Sequence, residues 1–176
     1  YGRRYYEMFS GLNTYRVTMS LYKRLTRGRN IRAGSDLEIA ELGGEKVAFY
    51  KLYADVTRRA QPPNPEGFAR AIESMRPYIE RVYFIPTKYR VYAGHLKPGA
   101  VLPNAQWDYL SGICRQYTLS CANLTEPLVR ESERLLKTSE FTWWRDDTHW
   151  NRHGIAVAAR VVASDLGASK DKEKKR

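Results

Sequence analysis

Sulfur and imidazole are scarce in this sequence: two cysteines, three methionines and three histidines among 176 residues. Two cysteines cannot build a disulfide scaffold, and no zinc-finger spacing or RNA-recognition aromatic signature occurs. Cys114 and Cys121 read as two half-buried thiols, with a disulfide the alternative in an exported protein. Neither has a histidine close by in sequence, which argues against a nucleophilic cysteine. No apolar run approaches the roughly 20 residues that cross a bilayer, so no transmembrane segment is expected. The chain opens at Tyr1 without Met, apolar stretch or cleavage signature, so no targeting signal indicates a compartment. It reads as a piece of a longer protein or as a mature form. Internal repeats are also lacking.

Acidic residues are outnumbered, 19 against 30 Lys and Arg, which leaves a net charge of +11. Much of the excess lies in two places: the first third, from Arg3 to Arg32, and the end Lys170-Asp171-Lys172-Glu173-Lys174-Lys175-Arg176. Thirteen tyrosines accompany the charge. Basic plus aromatic residues suit nucleic acid, an anionic membrane surface or an acidic polysaccharide. A solvated basic face is the plainer reading, and nucleic acid is the least favoured partner. Residues 1–36 are expected to form a basic helical segment. Within it Asn13 to Arg27 carries Val17, Leu21 and Leu25 on one stripe, a surface on which a protein partner could dock. Residues 168–176 read as a charged tail.

Between these ends, residues 37–167 read as one α/β unit. Leu37–Leu42 and Lys46–Tyr50 flank Gly43-Gly44, the signature of a β-hairpin. A proline-rich linker comes next, and Asn64 then caps a helix with Pro65 in its first turn. Phe68, Ala71, Ile72, Met75 and Ile79 are expected on its inward face, with Pro77 kinking the helix or stopping it early. Val82-Tyr83-Phe84-Ile85, stopped by Pro86, reads as a central parallel strand buried on both faces. Further on are a helix from Asn104 to Tyr117, a strand from Leu119 to Leu124 and a helix from Glu126 to Lys137, capped by Thr125. Asn151 is expected to cap a last helix with Ile155, Ala158, Ala159, Val162 and Leu166 inward. Strands alternating with helices predict a mostly parallel sheet between helical layers. Active sites of such sheets lie at the carboxyl ends of strands, here Pro86-Thr87-Lys88, Asn123-Leu124-Thr125 and the loop Asp146 to His149.

That loop carries the chemistry. In Asp146-Asp147-Thr148-His149, a carboxylate can fix one imidazole nitrogen and leave the other to act as a base. Asp147 is the expected orienter, and Asp146 the alternative. A plainer role is that the acid and the histidine merely cap the last helix. A metal site is a third reading, because Asp147, His149 and His153 are near in sequence. Asn151 starting a helix between the two histidines argues against it, so neither metal nor cofactor is expected.

Asp147-Thr148-His149-Trp150-Asn151, with Gly154 shortly after, resembles the last motif of SGNH/GDSL-type hydrolases, most closely the branch related to alginate-type O-acetyltransferases and carbohydrate esterases. Phe84-Ile85-Pro86-Thr87-Lys88-Tyr89-Arg90-Val91-Tyr92 resembles that branch's strand ending in Ile-Pro-Thr-Lys. Leu124-Thr125-Glu126-Pro127-Leu128 is similar to the segment entering the helix before its catalytic loop. The likeness spans residues 46 to 166. It implies a three-layer α/β/α fold and Ser–His–Asp ester hydrolysis or acyl transfer on carbohydrate. It implies His149 as base, Asp147 as its partner, and a periplasmic or other extracytoplasmic location. It supplies no nucleophile. Gly34-Ser35-Asp36 has the letters of the family's Gly-Asp-Ser turn in the wrong order, and Ser10 lacks the strand-turn-helix setting. The segment after His149 reads as a helix and a tail, so the serine is expected upstream of Tyr1. The partner is then an acylated carbohydrate or anionic glycan. The alternative is a non-catalytic module of the same fold, binding or structural, in a larger assembly.

Overall fold

The computed structural model describes residues 36–61 and 64–173. The expected N-terminal basic helix lies outside the described residues. The chain is mixed α/β. Strands β1 (Leu37–Leu42) and β2 (Glu45–Tyr50) form an antiparallel hairpin in register from Leu37↔Tyr50 to Leu42↔Glu45. Its turn places Gly43 at φ 56° and Gly44 at φ 77°, the double left-handed geometry that favours Gly-Gly. Helix α1 (Lys51–Arg58) continues from β2 without a loop and buries only Ala54 and Thr57. A stripe of two residues is too short a periodic signal to be read in the sequence.

Helix α2 (Pro65–Met75) starts where Asn64 accepts a hydrogen bond from Gly67 N at 3.2 Å, and it gives way to a 3₁₀ turn at Arg76–Tyr78, where Pro77 forbids its continuation. Its expected inward face is largely uncovered: Ile72 is buried, whereas Phe68 and Met75 are exposed. Strands β3 (Arg81–Phe84) and β4 (Ser120–Asn123) pair in parallel, Arg81 opposite Ser120 and Phe84 opposite Asn123. Among the described residues this sheet has two strands, and β3 is half-buried along its length. Among the described residues β3 is thus half-buried, where its apolar run suggests a strand buried on both faces.

Two helices cross over from β3 to β4: α3 (Lys88–Leu96), in a stretch to which the sequence pattern assigns no element, and α4 (Ala105–Gln116). After β4 come α5 (Thr125–Leu136) and α6 (Arg152–Glu173), the latter running past the expected start of the charged tail. Cys114 of α4 and Cys121 of β4 are joined by a disulfide, not left as thiols. The chain reverses at Thr118 (φ 57°), and Leu119 N donates to Cys114 O at 2.8 Å. That reversal brings the two Cα atoms to 6.2 Å, within bridging range.

The main core joins β2, α3, α5 and α6 through Val47, Phe49, Tyr92, Leu128 and Val157, with Phe141 and Trp143 from the segment before α6. Burying a side chain such as Leu128 contributes about 2 kcal/mol. The buried stripe of α6 is Gly154, Val157 and Ala158, while Ile155 and Leu166 are exposed. Of the expected face Ala158 is buried and Val162 half-buried, and Gly154 joins it where a Cβ would stand 2.4 Å from Thr142 O. Asp165, further along α6, meets Arg81 of β3 at 2.8 Å and Tyr83 at 3.3 Å.

Candidate active site

The Asp-His loop leaves the core at Thr142 and returns at Asn151, and each end is tied by buried polar groups. Tyr92 Oη accepts from Thr142 N at 2.9 Å and shares a hydrogen bond with its hydroxyl at 3.0 Å, and Ser132 Oγ bonds the same hydroxyl. Asn151 N donates to Thr142 O at 3.0 Å, and Trp143 and Trp150 face each other in an antiparallel bridge. The Asn151 side chain uses both its ends. Its Nδ2 donates to Phe141 O and Trp143 O at 2.6 and 3.2 Å, and its Oδ1 accepts from His153 N and Gly154 N at 2.9 and 3.4 Å. Asn151 is thus the cap of α6, as the sequence indicates. It also clamps both strands of the loop's neck.

At the tip, His149 Nδ1 lies 2.7 Å from Asp147 Oδ1. The same oxygen accepts from Thr148 N at 2.6 Å and His149 N at 3.3 Å. Burial pushes the Asp147 carboxyl up, but the His149 ring and these two amides outweigh it and hold the group below its ordinary value. With Nδ1 engaged, Nε2 is the ring nitrogen available for proton transfer. The ring is open to solvent, 77% exposed, and Asp147 is 29% exposed. Of the two candidate orienters, Asp147 makes the bond to Nδ1. Asp146 acts by its charge on Lys88.

His149 and Asp147 stand at one wall of a pocket of about 340 Å³. Phe49, Tyr50 and Tyr53 supply an aromatic wall, and Ile85-Pro86-Thr87-Lys88 the end of β3. So the loop and the end of β3 meet as expected, whereas Asn123, Leu124 and Thr125 do not line this pocket. No serine lines it among the described residues. His153 belongs to the other side of the loop, 3.6 Å from Glu140, in a second pocket with Trp144 and Arg152. His149 and His153 therefore do not converge, and among the described residues no three His, Cys, Asp or Glu groups stand close enough to share a metal.

The sequence places Lys88 at the active-site end of a strand without giving it a role, and the structure buries it under the Asp-His loop. Its side chain is 6% exposed, and its Nζ donates to Ala48 O and Trp144 O at 2.7 Å, to Arg145 O at 2.9 Å and to Asp147 O at 3.3 Å. Burial pushes the amine down to about 7, against the pull of Asp146 and Asp147. One signal in the sequence points to it. A lysine in the first turn of α3 sits at the positive end of the helix dipole, an unfavourable place that needs another reason.

The family model described as "SGNH hydrolase-like domain, acetyltransferase AlgX" matches residues 81–176. That span holds β3, β4, the four helices α3 to α6 and the whole Asp-His loop. The hairpin and α1, which complete the pocket, precede it. Neither a curated protein nor a solved structure shows a significant match to the chain.

Proposed function

The chain belongs to the SGNH hydrolase-like family of acetyltransferase AlgX, and from that premise we propose that it serves serine-dependent ester hydrolysis or O-acetyl transfer on a carbohydrate. The reading is carried by one observation, the 2.7 Å contact between His149 Nδ1 and Asp147 Oδ1 at the wall of an aromatic pocket. In it His149 Nε2 takes the proton of a serine hydroxyl as the hydroxyl attacks the ester carbonyl, and later returns a proton to the leaving group. Asp147 fixes the tautomer and stabilises the imidazolium. The serine comes from sequence outside these 176 residues. Tyr50 and Tyr53 offer faces on which a sugar ring can stack, and the net charge of +11 favours an anionic glycan. The disulfide supports an oxidising, extracytoplasmic compartment.

The test uses the complete reading frame and an O-acetylated polysaccharide. His149→Ala should lower acetyl release or transfer by at least about a thousandfold. An unchanged rate would sink the proposal. A second reading, a non-catalytic binding module, is favoured by the lack of a pocket serine among the described residues. Labelling of the complete protein by a fluorophosphonate at one serine, abolished by His149→Ala, decides against that module.

A further inference from the structure

Lys88 and the backbone of Asp147 form a closed ring of hydrogen bonds. Asp147 N donates to Trp144 O at 3.4 Å, Trp144 O also accepts from Lys88 Nζ at 2.7 Å, and Nζ reaches Asp147 O at 3.3 Å. Both polar ends of the Asp147 residue are thereby referred to one nitrogen. The ring is fixed to the rest of the molecule at Ala48 of β2. Ala48 O accepts from Nζ at 2.7 Å, and Ala48 N donates to Arg145 O at 2.8 Å, the same carbonyl that accepts from Nζ at 2.9 Å. The nitrogen itself has a firm base. Thr87 caps α3 by accepting from Arg90 N at 3.2 Å, its hydroxyl shares a hydrogen bond with Thr57 Oγ1 of α1, and the ammonium lies 5.2 Å from the Phe49 ring centroid.

We propose that Lys88 is a positioning residue for the acid–base pair: its ammonium gathers the carbonyls of Ala48, Trp144, Arg145 and Asp147 and so sets where the Asp147 carboxylate meets His149. The proposal deepens, and rests on, the reading of His149 and Asp147 as that pair. Without a donor at this point, four carbonyl dipoles would converge on each other in a poorly solvated interior. The loop would then have to move to find water. Arginine is no substitute, because its N–H groups lie in one plane and cannot converge from a single nitrogen on carbonyls set around it.

The test reads geometry rather than turnover, by ¹⁵N NMR of the histidine rings in the full 176-residue chain. The Asp147 contact requires His149, when neutral, to carry its proton on Nδ1. Lys88→Met should abolish that preference and give His149 the tautomer mixture of Asp147→Asn. Leu128→Ala, which weakens the core elsewhere, should lower stability and leave the tautomer as in the wild type. A folded Lys88→Met protein that keeps the Nδ1–H tautomer overturns the proposal. Where Lys88→Met does not fold, Lys88→Arg is read in the same way, with the same loss expected and the same retention fatal. If His149→Ala leaves esterase activity intact while Lys88→Met still releases the tautomer, the function falls and the positioning role stands.

Discussion

Thr87 and Lys88 stand where β3 gives way to α3, and Thr125 and Glu126 stand where β4 gives way to α5. The two junctions carry a threonine and a charged residue in the same order. At the first, Thr87 Oγ1 caps the helix and bonds Thr57, and Lys88 is buried beneath four carbonyls. At the second, Thr125 Oγ1 is buried without a hydrogen-bond partner among the described residues, and Asn123 Oδ1 receives Thr125 N at 2.9 Å instead. Thr125 is therefore not the cap the sequence suggests. Glu126 points outward, 78% exposed, toward Arg130 one turn on. The difference lies in what crosses each strand end. β2 and the Asp-His loop pass over the end of β3, and the polar groups there have acceptors to serve.

Substitutions at the two junctions can break this contrast. Lys88→Met should cost about 3 kcal/mol of unfolding free energy by denaturant titration, since each buried carbonyl left unpaired costs about 1–3 kcal/mol. A loss under about 1 kcal/mol would make the two strand ends equivalent. Thr87→Val should cost about 1.5 kcal/mol, the value of a helix cap and a stranded Thr57 hydroxyl.

The loop held by the β3 end adds a pH dependence of its own. Asp147 lies below its ordinary value when folded, so its bonds contribute stability above the usual carboxylate range and lose it as pH falls through the lowered folded value. The gap in unfolding free energy between wild type and Asp147→Asn should hold from neutral pH to about 5 and close below about 4, a change on the order of 1 kcal/mol or less. A gap that persists at about pH 2 contradicts the assignment. Smallest is Thr125→Val, which removes an unserved hydroxyl and should shift stability by less than about 0.5 kcal/mol, toward greater stability. A larger loss would reveal a hydrogen bond at the β4 end after all.

The elements legible in the sequence are those with local punctuation: the Gly43-Gly44 turn, the Asn64 and Asn151 caps, and the stop at Pro77. The contact between Asp147 and His149 is legible for the same reason, because they are two residues apart and one turn suffices to join them. Faces are less legible. In α6 the expected Ala158 is buried but Ile155 and Leu166 are not, and Gly154 packs close to Thr142 O, a contact made across the fold. The disulfide is not legible either, because a reversal at Thr118, not spacing alone, brings the two cysteines together.

The sequence by itself determined the Asn64 and Asn151 caps, the hairpin, the mixed α/β class and the Asp147–His149 contact, all consequences of neighbours along the chain. Only the tertiary structure decided that the Lys88 amine would be buried under the Asp-His loop, which threonine would cap its helix, and which side of the loop each histidine would face. Those depend on carbonyls brought together from β2 and from the Asp-His loop far along the chain, and a buried ammonium is stable only where such acceptors converge.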